Sequence, residues 1–162
     1  MMVREYHEGD LETLYRIDSA CFPKGICFSR QELHFYINLS RAFTYVAAPS
    51  LTAAAIGFIL VLKEARAWGH IITLDLLPAY RRQQLGSRLL TRGETQLWQV
   101  GVTQIYLETA IDNQAAQRLF IKHGYRCKGR LPGYYQQKLD AYRMFKSLVD
   151  PAGQAGPLYE AE

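Results

Sequence analysis

One stretch near the middle of the chain limits the possible folds more than any other, because its pattern changes from strand-like to helix-like within a few residues. A largely apolar run from Trp68 to Leu77 ends at Pro78. A basic and amide-rich turn follows at residues 79–84, and leucines then recur at helical spacing from Leu85 onward. The pattern predicts a strand, a tight turn and a helix.

The predicted turn has the properties of an anion-binding site. A helix N-terminus leaves backbone N–H groups unpaired and carries the positive end of the helix dipole. Arg81 and Arg82 add positive charge there, and Gly86 has no Cβ to keep a bound group away from the backbone. These residues indicate a phosphate or pyrophosphate site, although a plain strand–helix unit with a solvated basic turn would show the same pattern.

Length and charge favour a single domain that binds a small anion. A chain of 162 residues fits one domain, which we expect to span residues 1–149, with a mobile tail at 150–162. The net charge of +4 is too small to argue for nucleic acid, and no basic run has interleaved aromatic residues. The three cysteines lack metal-ligand spacing, so we expect reduced thiols and no metal site.

The apolar stretches do not indicate export or a membrane span. No N-terminal segment resembles a secretion signal, and the apolar stretch 46–62 is interrupted by Pro49 and Gly57. We therefore expect a cytoplasmic protein without a membrane partner. Its oligomeric state is unknown from the sequence.

The remaining elements follow from apolar periodicity and turn residues. Asp10 can cap a first helix, and the Ser29-x-x-Glu32 capping box predicts a second. After the helix that starts at Leu85, a further helix is predicted from 112–113 to Gly124, with Ala115, Ala116, Leu119 and Phe120 facing inward. Strands are predicted at 3–6, 43–48, 54–62, 103–110, 125–130 and 140–148, the last two joined by a turn at 132–135. Asp75 lies inside the apolar run and needs a partner, water or a site, because an unpaired buried carboxylate is costly.

Two blocks resemble the GNAT superfamily of N-acetyltransferases. Residues 76–87, LLPAYRRQQLGS, are similar to its acyl-coenzyme A signature Gln/Arg-x-x-Gly-x-Gly/Ala, with Arg81 at the first position and Gly86 at the last. Gln84 stands where the family has its first glycine, so its side chain must point away from the pyrophosphate or the loop must shift. Residues 107–125 resemble the family's block L-E-V-x-x-x-N-x-x-A-x-x-L-Y-x-x-x-G-F. With Tyr134-Tyr135 and the segment 140–144, they are most similar to the RimI type of N-terminal (α-amine) acetyltransferases.

The resemblance implies a fold, a cosubstrate and a reaction. The implied fold is α/β, the GNAT fold, with a mixed sheet of six or seven strands and about four helices, two on each side. The implied cosubstrate is acetyl-coenzyme A, from which acetyl would pass directly to the α-amine of a protein or peptide. The implied cofactor-binding residues are Leu74, Asp75 and Leu76 through their main chain at the pantetheine arm, Arg81, Arg82, Gln83, Gln84, Leu85, Gly86 and Ser87 at the pyrophosphate, and Asn113 and Phe120.

The resemblance also assigns residues to the acceptor and to the chemistry. Phe22 and Phe28 would line the acceptor site, or anchor their loop to the core. Tyr134 and Tyr135 would hold the acceptor backbone, or pack in a turn. Glu108 falls on the general-base position. An α-amine of pKa near ~8 needs such a base at neutral pH, and Glu108 is a reasonable base if burial raises its pKa.

The acid that protonates the departing thiolate is less clear, because Phe120 stands where the RimI type has a tyrosine. Tyr80, Tyr134 and water are the alternatives, and we favour Tyr80. Two other functions stay open: acetylation of a small amine or a lysine side chain, and coenzyme A binding without catalysis.

Overall fold

A seven-stranded mixed sheet runs through the computed structural model, which describes residues 1–149 and 152–153. The strand order is β1-β2-β3-β4-β5-β7-β6, and every neighbouring pair is antiparallel except β4 and β5. The prediction of a mobile tail at 150–162 lies outside the described residues, apart from 152–153. The strands are β1 (Met2–Glu5), β2 (Ala42–Ala48), β3 (Gly57–Ala65), β4 (Trp68–Leu76), β5 (Gln104–Ala110), β6 (Arg126–Tyr135) and β7 (Leu139–Ser147).

Helices cover both faces of the sheet. On one face, α1 and α2 enclose a cluster that includes Leu14, Leu33 and Phe58. On the other face, α3 and α4 enclose a larger cluster that includes Leu89 and Phe120. The predicted fold class, with seven strands and two helices on each side, is confirmed. The helices are α1 (Leu11–Cys21), α2 (Arg30–Ile37), α3 (Leu85–Gln99) and α4 (Gln114–Lys122), with short 3-10 helices at Glu8–Asp10 and Pro78–Tyr80.

The parallel strands β4 and β5 separate soon after they begin to pair. Their pairing covers residues 68–70 of β4 and ends with His70 opposite Tyr106. Beyond that point β4 stays paired with β3 as far as Leu76, and β5 stays paired with β7 as far as Ala110. We call this opening between the two strands the fork.

A bulge in β4 lies next to the fork. The pairing with β3 shifts between Ile71, opposite Val61, and Thr73, opposite Leu60, so that Ile72 is an extra residue. An extra residue reverses the alternation of side chains along a strand. Thr73 and Asp75 therefore face α1, whereas the next side chains along, at positions 74 and 76, pack against the α3 cluster.

Several helix termini form as predicted. Ser29 Oγ accepts from the Glu32 N–H, and Glu32 Oε2 accepts from the Ser29 N–H at 2.7 Å, which completes the capping box. The Asn113 side chain caps α4 by accepting from the Ala116 N–H. Gly101, after α3, has the positive φ that favours glycine.

Other local predictions were wrong. Asp10 does not cap α1, because its carboxylate binds Arg4 and the His7 N–H instead. Ala115 is exposed, since α4 is turned toward the core through Phe120. The third strand begins at Gly57 instead of residue 54 and continues to Ala65.

The predicted turn at 132–135 is also wrong, because these residues belong to β6 and the turn follows at 136–138. A register shift between Leu131 and Tyr135 allows Pro132, which has no N–H, to lie in this edge strand. Asp140 of β7 holds the shifted segment by accepting from the Gly133 N–H at 2.8 Å.

A buried ion pair joins α3 to β7. Glu94 is 2% exposed, and both of its carboxylate oxygens accept from Lys146 Nζ, at 3.0 and 2.9 Å. Tyr125 donates to the same carboxylate at 2.8 Å. Burial raises the pKa of Glu94, while Lys146 and Tyr125 act in the opposite direction. Lys146 therefore stabilises a charge that the core would otherwise disfavour.

Removing that charge should destabilise the fold. Lys146→Met keeps most of the side-chain length but leaves Glu94 without its cation, so we expect a loss of about 3 kcal/mol in unfolding free energy. Denaturant unfolding measures it, with Lys138→Met on the exposed β6–β7 turn as the matched control. Equal stabilities of the two variants would show that the ion pair contributes nothing.

Candidate active site

The fork opens into a cleft of about 240 Å³. Residues 71–74 of β4 line one side, and residues 107–110 of β5 line the other. Along residues 71–74, β4 pairs with β3 on one edge and with no strand of the described residues on the other. That free edge of β4 can bind an extended ligand. The predicted site residues that line this cleft are Leu74, Glu108, Asn113, Phe120, Phe22, Phe28, Tyr134 and Tyr135.

Other predicted residues lie outside the cleft lining. The Asp75 side chain is buried under α1, and the Leu76 carbonyl accepts from Arg81 Nε at 3.0 Å. Tyr80 lies in the short helix after β4, where it packs against the α3 cluster. Residues 81–87 form the corner between β4 and α3, where the side chains of 81–84 are exposed and Leu85 is buried in the core.

The corner adopts the backbone conformation that the missing glycine would favour. Gln84 precedes α3 with φ of 61° and ψ of 4°, in the left-handed region, and Arg82 also has φ of 61°. Glutamine therefore occupies a glycine-like position, and its exposed side chain leaves the α3 N-terminus accessible. Gly86 follows in the first turn, where an added Cβ would meet its nearest neighbour, Leu119, at 3.4 Å. The residues at this corner are compatible with a bound pyrophosphate.

Glu108 is held by two basic side chains at the closed end of the fork. Its Oε2 lies 2.6 Å from His70 Nε2, and its Oε1 accepts from Arg143 at 2.9 Å. Burial alone would raise the pKa of Glu108, but His70 and Arg143 outweigh burial, so this pKa lies below its ordinary value. The condition stated for Glu108, a pKa raised by burial, is therefore not met, and Glu108 is ionised at neutral pH.

His70 connects Glu108 to the surface. Its Nδ1 lies 3.0 Å from Glu64, and its ring stacks on Tyr106 at 4.2 Å between centroids. Tyr106 in turn donates to Glu64 at 2.5 Å. Contacts on both ring nitrogens and on the ring face fix the orientation of the imidazole beside Glu108.

The tyrosine pair lines the cleft from the edge strand β6. Tyr134 and Tyr135 are in edge-to-face contact at 4.9 Å between centroids. The pKa of Tyr134 is raised by burial and by the charge of Glu108. Burial, followed by the neighbouring Tyr134, raises the pKa of Tyr135 as well. Both phenols therefore stay protonated at neutral pH.

The sequence did not single out several residues of this cleft. His70 and Arg143, which bind Glu108, were not among the predicted site residues. Pairing of the parallel strands β4 and β5 would have placed His70 beside Tyr106, but the partner strand of β4 is not visible in the sequence. Further lining residues that were missed as site residues are Asp18, Ile26, Tyr36, Ile71, Ile72, Thr73, Leu107, Thr109, Ala110 and Ala116.

The described residues offer neither a metal site nor a membrane-spanning helix. In that part of the chain, no group of three or more His, Cys, Asp or Glu side chains is placed to hold a metal ion. None of its helices is both long and apolar enough to cross a bilayer.

The comparisons with known proteins agree on one family of enzymes. The model of the acetyltransferase (GNAT) family matches residues 11–125. An uncharacterized N-acetyltransferase of Methanocaldococcus jannaschii is 29% identical over 156 residues, covering 94% of this chain and 96% of that protein. An N-alpha-acetyltransferase of Sulfurisphaera tokodaii is 32% identical over 81 residues, covering 49% of this chain and 48% of its own.

Solved structures show the same fold. The ribosomal-protein-S18-alanine N-acetyltransferase from Escherichia coli superposes with a TM-score of 0.79 at 20% identity, over 99% of both chains. NAA60 of Arabidopsis thaliana in complex with acetyl-CoA gives a TM-score of 0.78 at 22% identity, over 91% of this chain and 98% of that one. From the match of the family model to most of its length, the chain belongs to the acetyltransferase (GNAT) family and is an N-acetyltransferase.

Proposed function

We propose that this enzyme transfers the acetyl group of acetyl-coenzyme A directly to the α-amine of a protein or peptide. The observation that carries the proposal is the fork, where an ionised carboxylate, Glu108, faces the free edge of β4 across the cleft. The similarity to N-alpha-acetyltransferases supports the choice of acceptor.

The donor would bind between the corner and the fork. The edge of β4 at Ile71–Leu74 offers backbone groups to a pantetheine arm, as one strand pairs with another. Asn113 Oδ1 caps α4, which leaves the Asn113 amide N–H groups to donate into the cleft. Arg81 and Arg82 supply positive charge beside the α3 N-terminus for a pyrophosphate. Bound acetyl-coenzyme A would supply the acetyl group as a thioester.

The acceptor amine must lose a proton before it can attack. An α-amine has a pKa near ~8, so transfer of its proton to a carboxylate of pKa ~4 costs on the order of 5 kcal/mol. Both ring nitrogens of His70 face carboxylates, Glu64 at Nδ1 and Glu108 at Nε2, so His70 holds Glu108 in place as a donor and does not take up the proton. Glu108 would therefore act as the base, directly or through a water molecule, with His70 and Arg143 fixing its carboxylate.

The departing thiolate would take a proton from a tyrosine. Tyr134 lines the cleft and lies close enough to Glu108 to feel its charge, whereas Tyr80 packs outside the lining. This placement supports Tyr134 over Tyr80, the residue that the sequence favoured.

Acetylation of peptides tests the proposal. Purified enzyme, acetyl-coenzyme A and a panel of N-terminal peptides should release free thiol, with the product acetylated at its α-amine by mass spectrometry. Peptides with a blocked N-terminus and a free lysine, and small primary amines, are the matched controls. Thiol release from the controls alone would contradict the proposed acceptor. Coenzyme binding without release from any amine would indicate a binding module.

Gly86→Ala should separate stability from donor binding. The protein has room for the methyl group, and alanine favours the helix, so unfolding free energy should be unchanged or rise by up to about 1 kcal/mol. A Cβ facing a bound pyrophosphate should weaken coenzyme A by about tenfold or more in calorimetry. Gly129→Ala, in open space on β6, is the control. Unchanged affinity would exclude close approach of the ligand at Gly86.

Glu108→Gln should lower kcat by about 100-fold, because loss of a general base costs that much or more. Coenzyme A affinity should stay close to wild type, and Glu5→Gln on β1 controls for a change of surface charge. Because the pKa of Glu108 is lowered, the wild-type base is lost only as the pH falls through that value, below 4.5. The rise of kcat/KM toward pH ~8 should therefore follow the amine. A wild-type kcat in Glu108→Gln would exclude the base role.

Tyr134→Phe and Tyr80→Phe form a matched pair for the thiolate acid. We expect kcat to fall by about tenfold or more in Tyr134→Phe, since phenylalanine cannot donate a proton. The Tyr80→Phe variant should show the smaller change. Steady-state assays at saturating donor and acceptor measure both. A larger fall in Tyr80→Phe would return the role to Tyr80, and no fall in either would assign it to water.

A further inference from the structure

Two buried carboxyl groups meet between α1 and β4. Asp18 of α1 is 0% exposed and Asp75 of β4 is 1% exposed, and the two carboxyl groups are neighbours. One oxygen of each, Asp18 Oδ1 and Asp75 Oδ2, is buried without a hydrogen-bond partner among the described residues. Two carboxylates without a proton would repel each other in this position, so one of the pair must carry a proton.

The neighbouring donors indicate which carboxyl group is neutral. Asp18 Oδ2 accepts from the Phe28 backbone N–H at 2.6 Å, a bond that stabilises the charged form. Asp75 accepts from the weaker donor Thr73 Oγ1, at 2.5 Å. Burial, followed by the charge of Asp18, raises the pKa of Asp75 well above its ordinary value. Asp75 therefore holds the proton and donates to an ionised Asp18.

The charged and titratable groups around Asp18 and Asp75 are consistent with one proton shared by the two carboxyl groups. Glu32 of α2 adds negative charge near Asp18. Cys21 of α1 lies near Asp75, and burial raises the pKa of its thiol to about 11, so it is neutral. Arg81 is the cation that acts on Asp75, and its side chain is exposed to solvent, which weakens its effect. From β3, the residue opposite Asp75 is Phe58, which is buried and uncharged.

The pair lies where the loop before α2 meets the cleft. Asp18 itself lines the cleft, and Phe22, Ile26 and Phe28 of this loop do so as well. The Phe28 N–H bond ties the loop to Asp18, and a proton shared with Asp75 would tie Asp18 to β4. The loop and residues 71–74 of β4 line the same cleft, so their relative position decides the shape of that cleft.

We propose that Asp75 acts as a neutral acid that donates to the Asp18 carboxylate, and that this pair positions the loop 22–28 for the acceptor. Asp18 and Asp75 are thus positioning residues, which set the acceptor side of the cleft without touching the reacting atoms. The acceptor part of this inference rests on the proposed function, whereas the pairing itself does not.

Two substitutions of Asp75 test whether the loop is held by a hydrogen bond that residue 75 donates to Asp18. The amide of Asp75→Asn can donate to Asp18 as the protonated acid does, so protection of the Phe28 N–H from hydrogen exchange should match wild type. Asp75→Val removes the donor, so exchange of that N–H should become at least about tenfold faster. The acceptor KM should rise in Asp75→Val with little change in the donor KM. Equal protection in wild type and Asp75→Val, or equal loss in both variants, would overturn the proposal.

The pH dependence of unfolding gives a second test that needs no substrate. The folded chain binds the Asp75 proton more tightly than the unfolded chain, so its contribution to stability is complete below pH 3.8. That contribution is lost as the pH rises through the raised pKa of the folded chain. Asp75→Asn has no such proton, so its unfolding free energy relative to wild type should increase with pH above 3.8. If the unfolding free energies of wild type and Asp75→Asn change with pH in parallel, the proposal is overturned, even where Asp75→Val does not fold. Exchange and unfolding do not depend on catalysis, so a failure of the proposed reaction would be seen separately.

Discussion

The separation of β4 from β5 is the constraint on which the rest of the site depends. Strand pairing stops after His70 and Tyr106, so the backbone edges beyond them face the cleft instead of each other. Buried backbone groups need partners, which makes this opening a place for an extended ligand. At its closed end, Glu108 of β5 binds His70 of β4 and Arg143 of β7. The contacts that join the strands there also keep the carboxylate beside the cleft ionised.

The two sides of the cleft are built from opposite layers of the fold. On the side proposed for the donor, Asn113 at the start of α4 lines the cleft, and the corner before α3, outside the lining, keeps a glycine-like backbone at Gln84. On the side proposed for the acceptor, α1 and the loop after it contribute Asp18 and Phe28, while Tyr134 comes from the edge strand β6. With these assignments, a family of enzymes can keep its donor corner while the acceptor side changes, because the residues proposed for the acceptor lie mainly on a loop and an edge strand.

Sequence patterns predicted those features that depend on residues close together along the chain. The change of period at Pro78 gave the strand, turn and helix, and Ser29 and Glu32 gave a helix start that forms as expected. The motif block from residue 107 identified Glu108 and Asn113 as site residues, and both line the cleft. Local predictions failed where a distant residue competed, as when Arg4 took the Asp10 carboxylate from the helix N-terminus.

The sequence by itself determined the fold class and the family, because periodicity, turn residues and motifs are local properties of the chain. Only the tertiary structure decided the ionisation of its carboxyl groups. Burial alone would have raised the pKa of Glu108, but His70 and Arg143 arrive from other strands and reverse the direction. The extra residue in β4 turns Asp75 away from the α3 cluster and toward Asp18. A proton's position depends on distances between side chains remote in sequence, and those distances exist only once the strands and helices have packed.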